Sequence, residues 1–212
     1  DEPGDPDLLA GLGRSLVNLG DVERNLGDRS AAEQRFEQAR NLLSGAADED
    51  VAVGKEFVRA TTRAAEISAY HLDIDRAVTA YERAVEVVTA LRNVDPDDYT
   101  LLADYARSVI GWLSAFTRKG DPSVVLESGA VDGQLDQFLR RLEEDVGPGL
   151  LRHDPDNHKW RFEVARLQNE LGVCYRYLGS LDEPEKAIAL HESSIEILEG
   201  LLAVDAFSER WQ

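Results

Sequence analysis

The amino-acid sequence predicts an all-α protein built from about four antiparallel helix pairs. Apolar residues recur at helical spacing along most of the 212 residues, and a pattern of small and large residues repeats along the chain. In three repeats an aspartate also follows the first alanine of the second helix at a fixed distance. These residues are Ala32 with Asp50, Ala77 with Asp95, and Ala187 with Asp205. Because each pair can bury its second face only against a neighbour, we expect the pairs to stack into a solenoid.

The first repeat, residues 8–50, contains two helical patterns joined at a Gly-Asp turn. Its markers are Leu19, Gly20, Gly27, Ala32, Phe36 and Ala39. This spacing resembles the tetratricopeptide repeat (TPR), a family of helix-turn-helix units of about 34 residues in which small residues let helix A and helix B pack closely. Of the markers compared, only the aromatic residue of the first helix is absent, where Glu23 stands.

The second and fourth repeats, residues 51–95 and 155–205, keep parts of this pattern. In the second repeat Ala64-Ala65 replaces the Leu-Gly pair, and Leu72 replaces the turn glycine. In the fourth, three extra turn residues separate the helices, and His191 replaces the aromatic residue of helix B. The markers that are kept are Ala77, Tyr81 and Ala84 in the second repeat, and Leu171, Gly172, Tyr175, Gly179, Ala187 and Ser194 in the fourth.

The third repeat, residues 96–154, departs most from the pattern. Its helix A is predicted from Tyr99 to Arg118, and residues 121–133 then form an irregular insertion in place of a tight turn. The insertion is either a place for binding specificity or a tolerated surface loop. Gly147-Pro148-Gly149 is expected to break helix B. The apolar residues of this helix B are Leu135, Phe138, Leu139, Leu142 and Val146.

Asp-Pro-Asp segments separate the repeats, at residues 95–97 and 154–156. Proline stops one helix, and the aspartate after it is expected to cap the next. The sequence thus predicts one helical-repeat domain over residues 1–212, in which residues 206–212 begin a further repeat.

We expect the chain to be part of a longer protein that continues past Gln212 with another helix A. Without that helix, the apolar face of the last helix, including Ile188, Ile195 and Leu198, would lack a neighbour. Self-association through this end is a second expected outcome.

The composition excludes several classes of protein. With 43% hydrophobic and 30% charged residues, and no apolar run near the ~20 residues of a membrane span, the sequence is typical of a soluble globular protein. The 41 acidic and 23 basic residues give a net charge of −18, which repels nucleic acid and anionic membranes. The single cysteine, Cys174, cannot form an internal disulfide. We therefore expect a cytoplasmic protein that binds neither nucleic acid nor membrane.

The sequence contains no nucleotide-binding glycine loop, no His-Glu-x-x-His and no Cys-x-x-Cys. Each weaker candidate site has a structural explanation that we prefer. His153 and His158 are metal-ligand types but lie in a junction where aspartates cap helices. Cys174 and His191 occupy packing positions of the repeat. The tryptophans, Trp112, Trp160 and Trp211, are explained by packing between repeats. We expect no catalysis, no cofactor and no metal.

The resemblance covers residues 13–211 and implies a right-handed superhelix whose helices A line a concave groove. In that family such a groove binds a peptide or the surface of another protein. The implied function is a protein-interaction scaffold. An alternative is a regulatory or sensor arm of a larger signalling protein, such as a kinase or a caspase-like protease. An all-helical hydrolase is a third reading, without a catalytic motif to support it.

Arginine occupies one position of helix A in all four repeats, as Arg14, Arg59, Arg107 and Arg166. The resemblance places this position on the groove. Nearby groove-facing positions hold Arg24, Arg63, Arg118, Asn169 and Arg176. Because arginine binds carboxylates with two hydrogen bonds, the expected ligand is acidic or carries a C-terminal carboxylate. The alternative is that the arginines pair internally with acids such as Asp21, Glu66 and Glu170 and hold adjacent repeats together.

Overall fold

A computed structural model describes residues 5–119, 139–140, 142–177 and 184–204. Over these ranges the chain forms helices joined by short turns, and no strand occurs in them. The predicted all-α class is confirmed. The Cα positions divide the chain into two compact units, Asp1–Ala115 and Phe116–Gln212, and each unit is described by itself below.

The first unit consists of consecutive helices that pack on their neighbours in sequence. Helix α1 packs on α2, α3 packs on both, and α4 packs on α3. The start of α5 packs there too, since Leu101 lies in one core cluster with residues of α3 and α4. The helices are α1 (Pro6–Asn25), α2 (Arg29–Leu43), α3 (Val51–Tyr70), α4 (Ile74–Val94) and α5 (Tyr99–Lys119), which runs into the second unit.

Aspartates begin these helices. Of the three that the repeat spacing singles out, Asp50 is an N-cap, Asp95 is the C-cap of α4, and Asp205 lies outside the described residues. Asp28, Asp50 and Asp73 are N-caps, and each side chain accepts a hydrogen bond from a backbone N–H in the first turn of its helix. At the start of α5 the capping residue is Asp98, whose Oδ1 accepts a hydrogen bond from Thr100 N at 2.9 Å. The capping residue therefore lies one position beyond the Asp-Pro-Asp segment.

Glycine and an aromatic ring bring α1 and α2 together. Phe36 of α2 is fully buried, and its ring lies where a Cβ on Gly20 would be, 2.5 Å from the nearest ring atom. The second unit has the same arrangement, in which the ring of His191 lies against Gly172. A side chain larger than hydrogen at either glycine would force the two helices apart.

The turn between α3 and α4 contains a leucine in a left-handed conformation. Leu72 has φ 64°, and Gly27 at the equivalent turn of the first repeat has φ 90°. A side chain in this region of φ costs about 1–2 kcal/mol. The turn geometry is thus kept although its glycine is absent.

Leu72→Gly is expected to stabilise the protein by about 0.5–1 kcal/mol, because removal of the left-handed strain outweighs the greater freedom of glycine in the unfolded chain. Leu72 is 79% exposed, so little packing is lost. Urea denaturation measures the effect, and Leu72→Ala, which keeps the strain, is the matched control. Equal midpoints for the two variants would show that the turn is not strained.

The second unit contains a five-residue π-helical segment (Leu142–Val146), followed by α6 (Gly147–His153), α7 (His158–Tyr177) and α8 (Pro184–Val204). At the predicted break, Gly147-Pro148-Gly149, the π-helical segment ends at Val146, but the chain stays helical because α6 begins at Gly147. Proline is tolerated in the first helical turn, where its missing N–H has no partner to lose. Asn157 Oδ1 accepts from Trp160 N at 3.2 Å and so caps α7. Helices α7 and α8 pack on each other.

Several predicted features lie outside the described residues. They are the 121–133 insertion, Leu135 and Phe138, the turn glycine Gly179, and residues 206–212 with Trp211.

Candidate ligand-binding surface

Arg14 of α1 and Arg59 of α3 meet at one carboxylate. Arg14 Nε donates to Glu56 Oε1 at 2.7 Å, and Arg59 Nη1 donates to Glu56 Oε2 at 2.9 Å. Glu56 is only 4% exposed, whereas both guanidinium groups reach solvent. The hydrogen bond and the charge of Glu56 raise the pKa of Arg14. The carboxylate thus fixes two predicted site residues on adjacent helices.

A second group of four charges links the same helices. Arg24 donates to Glu66 at 2.7 Å and pairs with Asp21 at 2.9 Å. Arg63 pairs with the same two acids, at 3.1 Å from Asp21 and 2.9 Å from Glu66. Two arginines and two carboxylates alternate, so this part of the surface has no net charge. These contacts correspond to the internal pairing considered as the alternative for this row of arginines.

Three of the predicted arginines surround one small recess. Arg59 and Arg63 of α3 and Arg107 of α5 line a cavity of about 20 Å³ together with Asp104 and Thr62. A space of this size holds one water molecule or one carboxylate oxygen. The structure therefore brings Arg59, Arg63 and Arg107 together at one point of the first unit.

Asp104 is the acidic member of the recess. Arg107 Nη1 donates to its Oδ1 at 2.8 Å. Burial raises the pKa of Asp104, while the charges of Arg107, Arg59 and Lys55 act in the opposite direction. The hydroxyls of Thr62 and Ser108 lie 3.0 Å apart behind it. The lining of the recess thus contains three cations and one acid.

In the second unit Arg166 and Asn169 line a groove between α7 and α8 of about 470 Å³. Arg166 pairs with Glu163 at 3.3 Å, and Asn169 Oδ1 lies 3.2 Å from His191 Nδ1. Burial raises the pKa of Glu170, whereas the charges of Arg166 and Arg118 act to lower it. Arg118 and Arg176 are exposed near the ends of their helices and do not line this groove.

The weaker candidate sites have packing roles. The ring of His153 contacts the ring of Trp160, with 5.5 Å between the centroids and 40° between the planes. Cys174 is a buried free thiol, and burial together with the charge of Glu170 raises its pKa to about 12, so the nucleophilic thiolate is scarce at neutral pH. His191 contacts Asn169. In the part of the chain that the structure describes, no group of three or more His, Cys, Asp or Glu side chains could hold a metal ion.

A wider cleft between α2 and α4 was not anticipated from the sequence. It has a volume of about 520 Å³, with Phe57 and Thr61 of α3 at its floor and Arg40, Arg76 and Arg83 at its sides. Arg76 bonds to two acids of α2, and Arg83 bonds to Asp48 at 2.6 Å. The spacing of Arg76 and Arg83 by two helical turns is the signal in the sequence that marks this face.

Among the described helices, none is both long and apolar enough to cross a membrane. No protein-family model and no curated protein matches the chain.

Proposed function

We propose that the chain is a TPR-like protein-interaction module that binds an acidic segment of a partner protein. The ligand lies along the face formed by helices A, which in the first unit are α1, α3 and α5. The observation that carries this proposal is the convergence of Arg59, Arg63 and Arg107 on one recess. The module acts by contact, without catalysis or a cofactor, and the cytoplasm is the compartment that we propose.

The internal ion pairs prepare these arginines for a ligand. Glu56 and Asp104 fix the directions of Arg59 and Arg107, so less side-chain entropy is lost when a ligand carboxylate arrives. Arg59 donates to Glu56 and, at 3.4 Å, to Asn18, which uses two of its five N–H donors within the described residues. The remaining donors are available to a carboxylate at the mouth of the recess.

The spacing of the helices selects the form of the ligand. Stacked helices lie ~10 Å apart, which is about three residues of an extended peptide. Acidic side chains at every third residue would therefore lie over successive helices of this face, α1, α3 and α5. An extended acidic segment fits this surface better than a single small anion does.

The proposal predicts that double replacement of Arg59 and Arg107 by alanine weakens binding of an acidic peptide at least tenfold. The probes are fluorescein-labelled ten-residue peptides with glutamate at every third position, and matched peptides with glutamine there. Fluorescence anisotropy measures affinity in the full chain at 50 and 200 mM salt. Since fewer ion pairs form, the salt dependence should also become flatter.

Arg83→Ala is the matched control, because Arg83 is an exposed, ion-paired arginine on α4 and lies outside the recess. It should leave affinity unchanged. The double variant should lose some thermal stability, because the buried carboxylate of Asp104 loses Arg107 and Arg59, so circular dichroism must show that it is folded at the temperature of the binding assay. Equal affinity for all variants, combined with a large loss of thermal stability, would show that the arginines only hold the helices together.

A further inference from the structure

The residues that line the groove between α7 and α8 occupy the repeat positions at which α1 and α2 contact α3 in the first unit. Aligning Arg166 with Arg14, and Ala187 with Ala32, relates every residue that lines the groove to one residue of α1 or α2. The pairs used below are Arg166 with Arg14, Asn169 with Val17, Glu170 with Asn18, His191 with Phe36, and Leu198 with Leu43.

In the first unit this surface is filled by a helix. Val17 and Phe36 pack with Ala60 and Ala64 of α3 in one buried cluster. The edges of the contact are polar, because Arg14 of α1 bonds to Glu56 at 2.7 Å and Asn18 accepts from Arg59 at 3.4 Å. The helix that fills the groove thus has small residues at its centre and carries an acid and a base three residues apart.

In the second unit, the equivalent surface is open over the residues that the structure describes. Ile195 is 55% exposed and Ile188 is 57% exposed, on the outer face of α8. With the partly buried Leu198, they form an apolar strip on a helix that is well packed only on its other face. Such a strip is the usual contact surface of a second amphipathic helix.

Charges on α7 define what this second helix must carry. Arg166, whose side chain is 40% exposed, stands at the position of Arg14 and presents a cation. Glu170 stands at the position of Asn18, so an anion faces the place that Arg59 occupies in the first unit. A helix in the orientation of α3 would therefore need an acid opposite Arg166 and a base three residues later.

We propose that this groove is a docking site for an amphipathic α-helix of a partner protein with the pattern acid-x-x-base. The centre of the groove is more polar than its equivalent, since Asn169 and His191 replace Val17 and Phe36 and contact each other at 3.2 Å. Small or hydroxylated residues at the centre of the incoming helix fit this floor, while its apolar residues cover Ile195 and Leu198.

A second copy of this chain is the less suitable occupant. Its α1 exposes an apolar strip, including Leu8 and Leu12, at positions equivalent to those through which α3 packs on its neighbours. However, Gly11 stands where α3 has Glu56, and Leu19 stands where α3 has the small residue Ala64. Thus α1 lacks the acid for Arg166 and is bulky where close approach is needed.

The test uses a charge swap between the groove and a probe helix. The probe is a fluorescein-labelled peptide with the sequence of α3, residues 51–70, held helical by a hydrocarbon crosslink, because an isolated helix of this length is marginal in water. Anisotropy with the full chain should show saturable binding. Arg166→Glu should weaken binding at least tenfold. A peptide that carries Glu56→Lys should restore the affinity for the Arg166→Glu variant, but it should not bind the unchanged chain more tightly.

Arg166→Gln serves as a second variant that keeps the size of the side chain, and circular dichroism checks the helical content of each variant. Lys159→Glu on α7 lies outside the groove and should leave affinity unchanged. No saturable binding, as expected if a further helix of this chain covers the groove, would overturn the proposal. Binding that is insensitive to Arg166, or no rescue by the swapped peptide, would also overturn it. A concentration-dependent dimer that Ile195→Arg abolishes would also overturn it, in favour of a second copy. Because neither Arg59 nor Arg107 of the full chain is varied, this result is independent of the acidic-peptide test.

Discussion

Phe36→Ala is expected to lower the free energy of unfolding by about 4 kcal/mol, the largest effect of any change considered for this protein. Phe36 is fully buried and packs with residues of both α1 and α3. Its ring also lies against Gly20, which has no side chain that could move into the space left behind. The cavity would therefore remain, and its cost would add to the lost transfer free energy.

Urea denaturation, followed by circular dichroism, measures this loss. Leu8→Ala is the control, because Leu8 is 72% exposed on α1 and its truncation should change stability by less than about 0.5 kcal/mol. A loss below about 2 kcal/mol for Phe36→Ala would mean that α1 and α2 close over the cavity, contrary to the packing described.

Gly54→Ala is expected to destabilise the protein by about 2 kcal/mol. A Cβ at this position of α3 would lie 2.6 Å from the carbonyl oxygen of Ala47 and 2.9 Å from Leu91 Cδ1. The backbone oxygen cannot move without shifting the segment between α2 and α3, which places the cost at the upper end for overpacking. The better helix propensity of alanine offsets about 1 kcal/mol of it.

Gly11→Ala is the matched control for this change. Gly11 also lies inside a helix, but no atom outside its own helical segment is within 4 Å of a Cβ built there. Alanine should therefore stabilise the protein by about 1 kcal/mol through propensity alone. The opposite signs of the two substitutions are the expected result in thermal or urea denaturation. If Gly54→Ala were also stabilising, the close approach of α3 to Ala47 would not exist in solution.

The sequence predicted helix pairs because their periodicity directly reflects burial. Ala32, Phe36 and Ala39 were identified by spacing, and all three are fully buried in α2. The fixed aspartates were predictive only in part, since Asp50 caps α3 but Asp95 is the C-cap of α4, and Asp98 caps α5 in place of the predicted Asp97. Local rules of this kind therefore place a helix start to within about one or two residues.

Features that depend on tertiary context could not be predicted. The helix that begins at Gly147-Pro148-Gly149 follows a π-helical segment, which has no simple signature in the sequence. Leu72 keeps a left-handed turn because the helices on both sides hold it there. The alignment of Arg14 with Arg59 was visible from the repeat, but the shared carboxylate of Glu56 depends on the distance between α1 and α3.

The polar centre of the last helix pair affects how that part of the protein opens. In the first unit α3 covers Val17 and Phe36, whereas Asn169 and His191 stand at the equivalent positions of α7 and α8, beside an apolar strip that is uncovered among the described residues. Helix α2 packs on both α1 and α3, whereas α8 packs mainly on α7 among the described elements. We therefore expect a lower free energy of local opening and faster exchange of backbone amide hydrogens in α8 than in α2. An occupant of the groove would complete this core, so local order at α8 becomes a function of ligand concentration.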